Sequence, residues 1–156
     1  MSIVVPGIAG LKALAGQHLG EGAWLPVTQG RVNLFADATD DHQWIHVDPE
    51  RAAAGPYGGT IVHGYLTLSL VIPLWSDLVR IEQIGMAVNY GLNRVRFPAP
   101  VRVGSRIRLS ARMLAVDDVP GATAGVQATV ECTVQAENTP KPALVAEAVY
   151  RYYAAV

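Results

Sequence analysis

Asp40, Asp41, His42 and His46 fall within seven residues of this 156-residue chain, and His63 follows in Val62-His63-Gly64-Tyr65. They sit just ahead of its least polar stretch, where ionisable groups are costly to bury unless they are paired or used. Three readings of the cluster are open. His42 and His46 stand at i and i+4 with Asp41 and His63 nearby, a donor set that suits a metal ion. Against that, Trp44-Ile45 between them reads as loop or extended chain, and no cysteine pair or HExxH frames a third ligand. A second reading makes the cluster ordinary loop surface, with His63 a hydrogen-bonded core histidine. In the third, Asp41 and His46 form an acid–base dyad that holds one water between carboxylate and imidazole.

The elements that must position these residues can be read around them. Thr28 is an N-cap for a helix carrying Val32, Leu34, Phe35 and Ala38. Asp48-Pro49-Glu50 starts another short helix, with a capping acid, proline at the first helical position and an acid in the first turn. Leu11, Leu14 and Ala15 are spaced like a helical face that ends near Gly16 or Gly20. The run from His63 to about Leu78 is helical by length and apolar nearly all round, so it is expected to be buried on every side. Beyond it the period changes to two. Val101, Val103, Ile107, Leu109, Ala111 and Met113 alternate with Arg102, Arg106, Arg108, Ser110 and Arg112, which describes a half-solvated strand. Met86–Phe97, Val126–Gln135 and Leu144–Tyr153 read as three more strands, separated by Pro98 and Pro100, Asp117–Gly121 and Asn138–Pro142. Short turns make neighbouring strands antiparallel. The expectation is one α+β domain over residues 1–156, with a sheet wrapped around a central helix.

Composition narrows the function. Twelve Lys+Arg against thirteen Asp+Glu leave a net charge of −1, which argues against a nucleic-acid binder. Charged residues are 16% and hydrophobic residues 51%, where an ordinary soluble domain carries about 25% charged residues. No Asp, Glu, Lys or Arg lies between residues 52 and 76. Pro56, Gly58, Gly59, His63, Gly64 and Pro73 interrupt that span, and its apolar part is too short for a membrane helix of about 20 residues. The first ten residues have no basic region, so no secretory signal is expected, and Cys132 alone cannot form an internal bridge. The chain is read as cytoplasmic and soluble, with part of its apolar surface buried against a second copy.

The stretch Phe35-Ala-Asp-Ala-Thr-Asp-Asp41-His-Gln-Trp-Ile-His46-Val-Asp-Pro49 resembles the hydratase-2 motif of the MaoC-like dehydratases, the (R)-specific enoyl-CoA hydratases. Its skeleton is an Asp, a His five residues on, then hydrophobic-Asp-Pro. Gly58-Gly59-Thr60-Ile61-Val62-His63-Gly64-Tyr65 resembles the helix start that follows in the same family. The His42–His46 variant, with Asn89-Tyr90-Gly91-Leu92-Asn93-Arg94-Val95-Arg96-Phe97-Pro98 downstream, looks like the nodulation-protein-N-like branch. The likeness covers roughly residues 25 to 110 by motif and the rest by strand pattern.

That resemblance implies a hot-dog fold, an antiparallel sheet around a long central helix, assembled as a homodimer. It implies reversible addition of water to a trans-2-enoyl thioester of coenzyme A or an acyl carrier protein, with no cofactor, no metal, no nucleic acid and no membrane. By motif position Asp41 and His46 become the catalytic pair, and Gly64 the backbone donor to the thioester oxygen. Water is a poor nucleophile, so carboxylate and imidazole must hold it and take its proton as it attacks C3, and a nearby acid must supply a proton at C2. An N–H in the first turn of a helix suits the charge that develops on the thioester oxygen. His63, Tyr65, Arg94 and Arg96 are the substrate-contacting candidates: the arginines for carrier phosphates, and Tyr65 with Tyr57 and Trp44 for the floor of an acyl tunnel. His63 is weighted toward a structural role. Some relatives support the catalytic Asp with a serine; the matching position here is Ile72, so Ser69, Asn89 or Asn93 is expected to stand in. Two alternatives share the fold: a thioesterase whose water attacks the thioester carbon, and a non-catalytic acyl-thioester binding subunit.

Overall fold

A computed structural model describes residues 2–121 and 124–155. In chain order the elements are β1 (Ile3–Pro6), α1 (Gly7–Ala13), β2 (His18–Glu21), β3 (Leu25–Pro26), α2 (Gln29–Thr39), α3 (Trp44–Val47) and α4 (Pro49–Ala53). Then come α5 (Gly64–Ser69), α6 (Val71–Leu78), β4 (Val79–Glu82), β5 (Ile84–Arg96), β6 (Arg106–Asp118), β7 (Gly125–Ala136) and β8 (Leu144–Ala154). The sheet runs β2-β6-β7-β8-β5, with β3 also pairing β6, and every pairing in it is antiparallel. β1 and β4 form a separate parallel pair.

Alternation decides which face of the sheet is dry. Ile107, Leu109, Ala111 and Met113 of β6 point inward with Val126, Ala128, Val130, Cys132 and Val134 of β7. From β8 come Leu144, Ala146, Ala148, Tyr150 and Tyr152. The small side chains among them leave room for the helix, whose Leu66, Leu70, Val71, Leu74, Trp75 and Leu78 join the same core. Trp75 Nε1–H donates to the Tyr152 hydroxyl at 2.8 Å, so the one polar group of that buried indole is satisfied. The arrangement is the hot-dog fold that the motifs imply.

Three local expectations are corrected. The central helix is two segments, because Pro73 has no N–H for the Ser69 carbonyl and its ring would crowd it; α5 stops at Ser69 and α6 starts at Val71. The helix is also not covered on every side within the chain. Tyr65 is 73% exposed and Ile72 39%, and Ser69, Pro73 and Ser76 share that open face. Trp44–Val47, expected to be loop or extended, is a single helical turn. The two caps read from sequence are present: Thr28 Oγ1 accepts from Arg31 N–H at 3.2 Å, and Asp48 Oδ1 accepts from Arg51 N–H at 3.0 Å. β5 is exposed along almost its whole length, with Met86, Val88, Tyr90 and Leu92 all uncovered. Among the described residues no helix is long and apolar enough to cross a membrane.

Candidate active site

The turn after α2 delivers the first acid. Asp40 closes the helix in the left-handed conformation at φ 59° and ψ 18°, a conformation aspartate tolerates better than most residues. That makes Asp40 the cap and sends Asp41 across toward α5. His42 turns away and bonds Asp37 Oδ1 at 2.8 Å, a contact that raises its pKa. The His42–His46 metal pair is therefore not assembled.

α3 buries His46, which is 7% exposed. Its Nδ1 lies 2.7 Å from the Ile61 carbonyl. A carbonyl only accepts, so Nδ1 carries the proton and Nε2 keeps a free lone pair. Burial, aided by the neighbouring His63, lowers the His46 pKa below its ordinary value of 6.5. The Ile61 hydrogen bond and the Asp41 carboxylate oppose that shift. The same loop is fixed from α2: Gln29 Nε2–H donates to the His46 carbonyl at 2.7 Å, and Thr60 Oγ1–H donates to Gln29 Oε1 at 2.6 Å.

The Gly58-Gly59 segment is held by Arg102. Its Nη2–H donates to the Gly58 carbonyl at 2.9 Å and its Nη1–H to the Tyr57 carbonyl. A Cβ on Gly59 would stand 2.6 Å from Nη2, so a larger residue there would have to push the Arg102 head off these carbonyls. Neither Gln29 nor Arg102 is singled out by the sequence: each acts on a loop far along the chain, and Arg102 reads simply as the wet side of an alternating strand.

His63 is 2% exposed and precedes Gly64. Its Nε2–H donates to the Asp41 backbone carbonyl at 2.9 Å and lies 3.9 Å from Asp41 Oδ2. Its ring stacks on His46 with centroids 3.9 Å apart and planes 23° apart. Gly64 is the first residue of α5, so its N–H has no acceptor within the helix. His46 and Gly64 line one cleft of about 230 Å³, with Tyr57, Thr67, Phe97 and Ala99 also in its wall. One donor atom from each of Asp41, His46 and His63 falls within 4.8 Å of the others. These are metal-type donors, but imidazole lone pairs lie in the ring planes. Planes stacked at 3.9 Å and inclined by 23° do not meet at a common ion about 2.0–2.1 Å from each nitrogen.

The remaining candidates lie elsewhere. Arg94 and Arg96 line a groove with Glu131 and Glu147. Their strand partners, Glu147 and Val145, alternate with the inward residues of β8, so both arginines are on the outer face of the sheet. Tyr65 is on the open helix face, 6.4 Å from the Phe97 ring, and Trp44 carries the Arg51 guanidinium at 4.6 Å. No stand-in serine or asparagine reaches Asp41 through a described hydrogen bond. Ser69 Oγ–H donates to the Tyr65 carbonyl and Asn93 to Glu147, while Asn89 lines the trough beside Ile72.

The model of the MaoC-like domain matches residues 11–136. A Mycobacterium tuberculosis protein named 3-hydroxyacyl-thioester dehydratase Z is 54% identical over 147 residues, 94% of this chain and 96% of that protein. Nodulation protein N of Rhizobium leguminosarum bv. viciae is 48% identical over 141 residues, 89% of this chain and 86% of its own. In three dimensions the MaoC-like dehydratase from Rhodospirillum rubrum superposes with a TM-score of 0.72 at 18% identity, covering 91% of this chain and 94% of that one. The chain belongs to the MaoC-like domain family.

Proposed function

We propose that this chain is an (R)-specific enoyl-thioester hydratase, equally a 3-hydroxyacyl-thioester dehydratase, built as one domain and working in the cytoplasm as a homodimer. The observation that carries the reading is the cleft that has His46 and Gly64 in its wall, with the Asp41 carboxylate within 4.8 Å of His46. The 54% identity to a protein named as a dehydratase of 3-hydroxyacyl thioesters supports the same substrate class.

The chemistry follows from the groups present. Water sits between the Asp41 carboxylate and the free Nε2 of His46, and its proton moves to the dyad as its oxygen bonds C3 of the enoyl chain. The electron pair of the double bond shifts toward the thioester oxygen, where the Gly64 N–H meets the developing charge. A proton returned from the dyad to C2 completes the addition. Both bonds form on the face of the substrate turned to the dyad, so the addition is syn. Dehydration is the same path reversed. Neither direction transfers electrons to or from a second reactant, so the residues suffice. The thioester is carried on coenzyme A or an acyl carrier protein.

The test follows the loss of enoyl-CoA absorbance at short and long chain lengths with wild type, Asp41→Asn and His46→Gln. Turnover by wild type and a loss of about 10²-fold or more in each variant are expected. A wild type inert at every chain length, or two fully active variants, overturns the reading. Release of free thiol in place of hydroxyacyl product marks a thioesterase.

A further inference from the structure

The hydration scheme uses one of the two buried histidines and leaves His63 without a task. This ring is 2% exposed, and Phe35 packs on it at 4.9 Å and 58°. Its Nδ1 is buried with no hydrogen-bond partner among the described residues, an arrangement that costs stability and that an apolar side chain of similar size would avoid. What it does in return lies on its other nitrogen and its ring face.

We propose that His63 is a positioning residue: its Nε2–H pins the Asp41 peptide and its ring backs the His46 ring, so one side chain holds both members of the dyad beside Gly64. The proposal rests on the hydratase reading. Three contacts carry it. Asp41 stands just past the left-handed end of α2 with its side chain 51% exposed. Among the described residues no hydrogen bond confines its carboxylate, and the 2.9 Å bond from His63 to its carbonyl holds the adjoining peptide. His46 is fixed at Nδ1 by Ile61, but a ring held at one nitrogen can still tilt about that bond. The stacked His63 ring blocks the tilt at 3.9 Å. His63 also occupies the N-cap position of α5, with no side-chain cap bond, so the residue that sets the dyad is linked by one peptide bond to the Gly64 N–H. Through it, the acid–base groups and the oxyanion donor are placed as one unit.

Two substitutions separate the parts. His63→Phe keeps a flat buried ring and removes both nitrogens; His63→Gln keeps an N–H near the Nε2 position and removes the ring. His63→Phe is expected to fold with a Tm equal to or above wild type, yet to lose about 10- to 100-fold in kcat with KM changed less than threefold. His63→Gln is expected to recover about tenfold of that loss. Substrate-free NMR supplies a second readout. The order parameter of the His42 amide, which shares a peptide plane with the pinned Asp41 carbonyl, should be near 0.85 in wild type and His63→Gln and fall below about 0.6 in His63→Phe. Full kcat in His63→Phe, or a rigid His42 amide in that variant, overturns the proposal. If His63→Phe does not fold, His63→Gln decides alone: kcat within tenfold of wild type supports the hold, and a loss as deep as that of Asp41→Asn overturns it. If wild type hydrates nothing, the hydratase reading falls, while the order parameters still report on whether His63 holds Asp41.

Discussion

At the scale of the single residue, His46 illustrates how a hydrogen bond selects a chemical role. The Ile61 carbonyl fixes the proton on Nδ1, and burial makes the imidazolium costly, so the free nitrogen is a base rather than an acid at rest. With the pKa lowered from 6.5, kcat/KM for hydration is expected to be flat through neutral pH and to fall only on the acid side of about 6.5. A rate that instead rises on acidification, measured across about pH 5–8, contradicts this. The same shift affects stability. The unfolded chain binds the His46 proton at the higher, ordinary pKa, so the unfolded state takes up more protons as pH falls below 6.5. Stability from the neutral ring is present above that window and is lost as pH falls through it. Urea midpoints should therefore drop more for wild type than for His46→Gln between about pH 7.5 and 5. His42, shifted upward by Asp37, acts in the opposite sense but is present in both proteins and cancels. Asp41 was distinguishable from Asp40 in the sequence only by its spacing to His46. The physical reason is now visible, since the cap of α2 occupies Asp40.

At the scale of the element, the site depends on a loop clamped from outside it. Arg102 makes a two-pronged contact with the Tyr57 and Gly58 carbonyls, 45 and 44 residues away. Because the guanidinium is solvent-exposed, Arg102→Ala is expected to cost only about 1 kcal/mol, below the range of about 1.5–3 kcal/mol for hydrogen bonds to charged groups, and to slow hydration about tenfold by loosening the path from Ile61 to Gly64. Arg102→Lys should not restore the rate, because an ammonium cannot reproduce the planar fork. Urea unfolding and kcat on both variants check this, and a lysine variant with wild-type kcat contradicts it. Gly64→Ala tests the head of α5. Its Cβ would meet the Phe97 ring at 3.5 Å, an ordinary contact, and alanine favours helix. The variant is expected to keep or raise Tm while kcat/KM falls about 10- to 100-fold as the methyl group crowds the thioester oxygen. Sequence signals that are local survived into the structure: the Thr28 and Asp48 caps, and the alternation along β6, β7 and β8. The clamp of Arg102 and the Gln29 bridge were illegible because their partners are distant in the chain and carry no spacing rule. The break at Leu70 had a local sign in Pro73, masked by an apolar run that read as one helix.

At the scale of the whole molecule, the sequence's apolar excess has a location. β5 is an edge strand of 13 residues, and from Ile84 to Leu92 it contains no charged side chain and no proline. Natural sheets protect long edges with such residues or cover them. Here Met86, Val88, Tyr90 and Leu92 are exposed, and the open helix face adds Tyr65 and Ile72. A trough of about 380 Å³ between them is lined by Ser69, Ile72, Asn89, Leu92 and Tyr150. A second copy pairing β5 to β5 about a two-fold axis would extend the sheet and cover both open faces with a self-complementary surface. It would also explain why a helix that is apolar all round in sequence is bare on one side here. Light scattering at micromolar concentration is therefore expected to give twice the 16.6 kDa chain mass. Ile72→Glu with Leu92→Glu places two charges in each copy's covered trough. Carboxylates buried without partners are costly, so the double variant is expected to be monomeric, to have a lower and no longer concentration-dependent Tm, and to keep the secondary structure of β6–β8. A wild type of 16.6 kDa under the same conditions overturns the dimer, whereas an unaltered dimer carrying both glutamates would place its interface elsewhere and leave the bare edge of β5 without its partner.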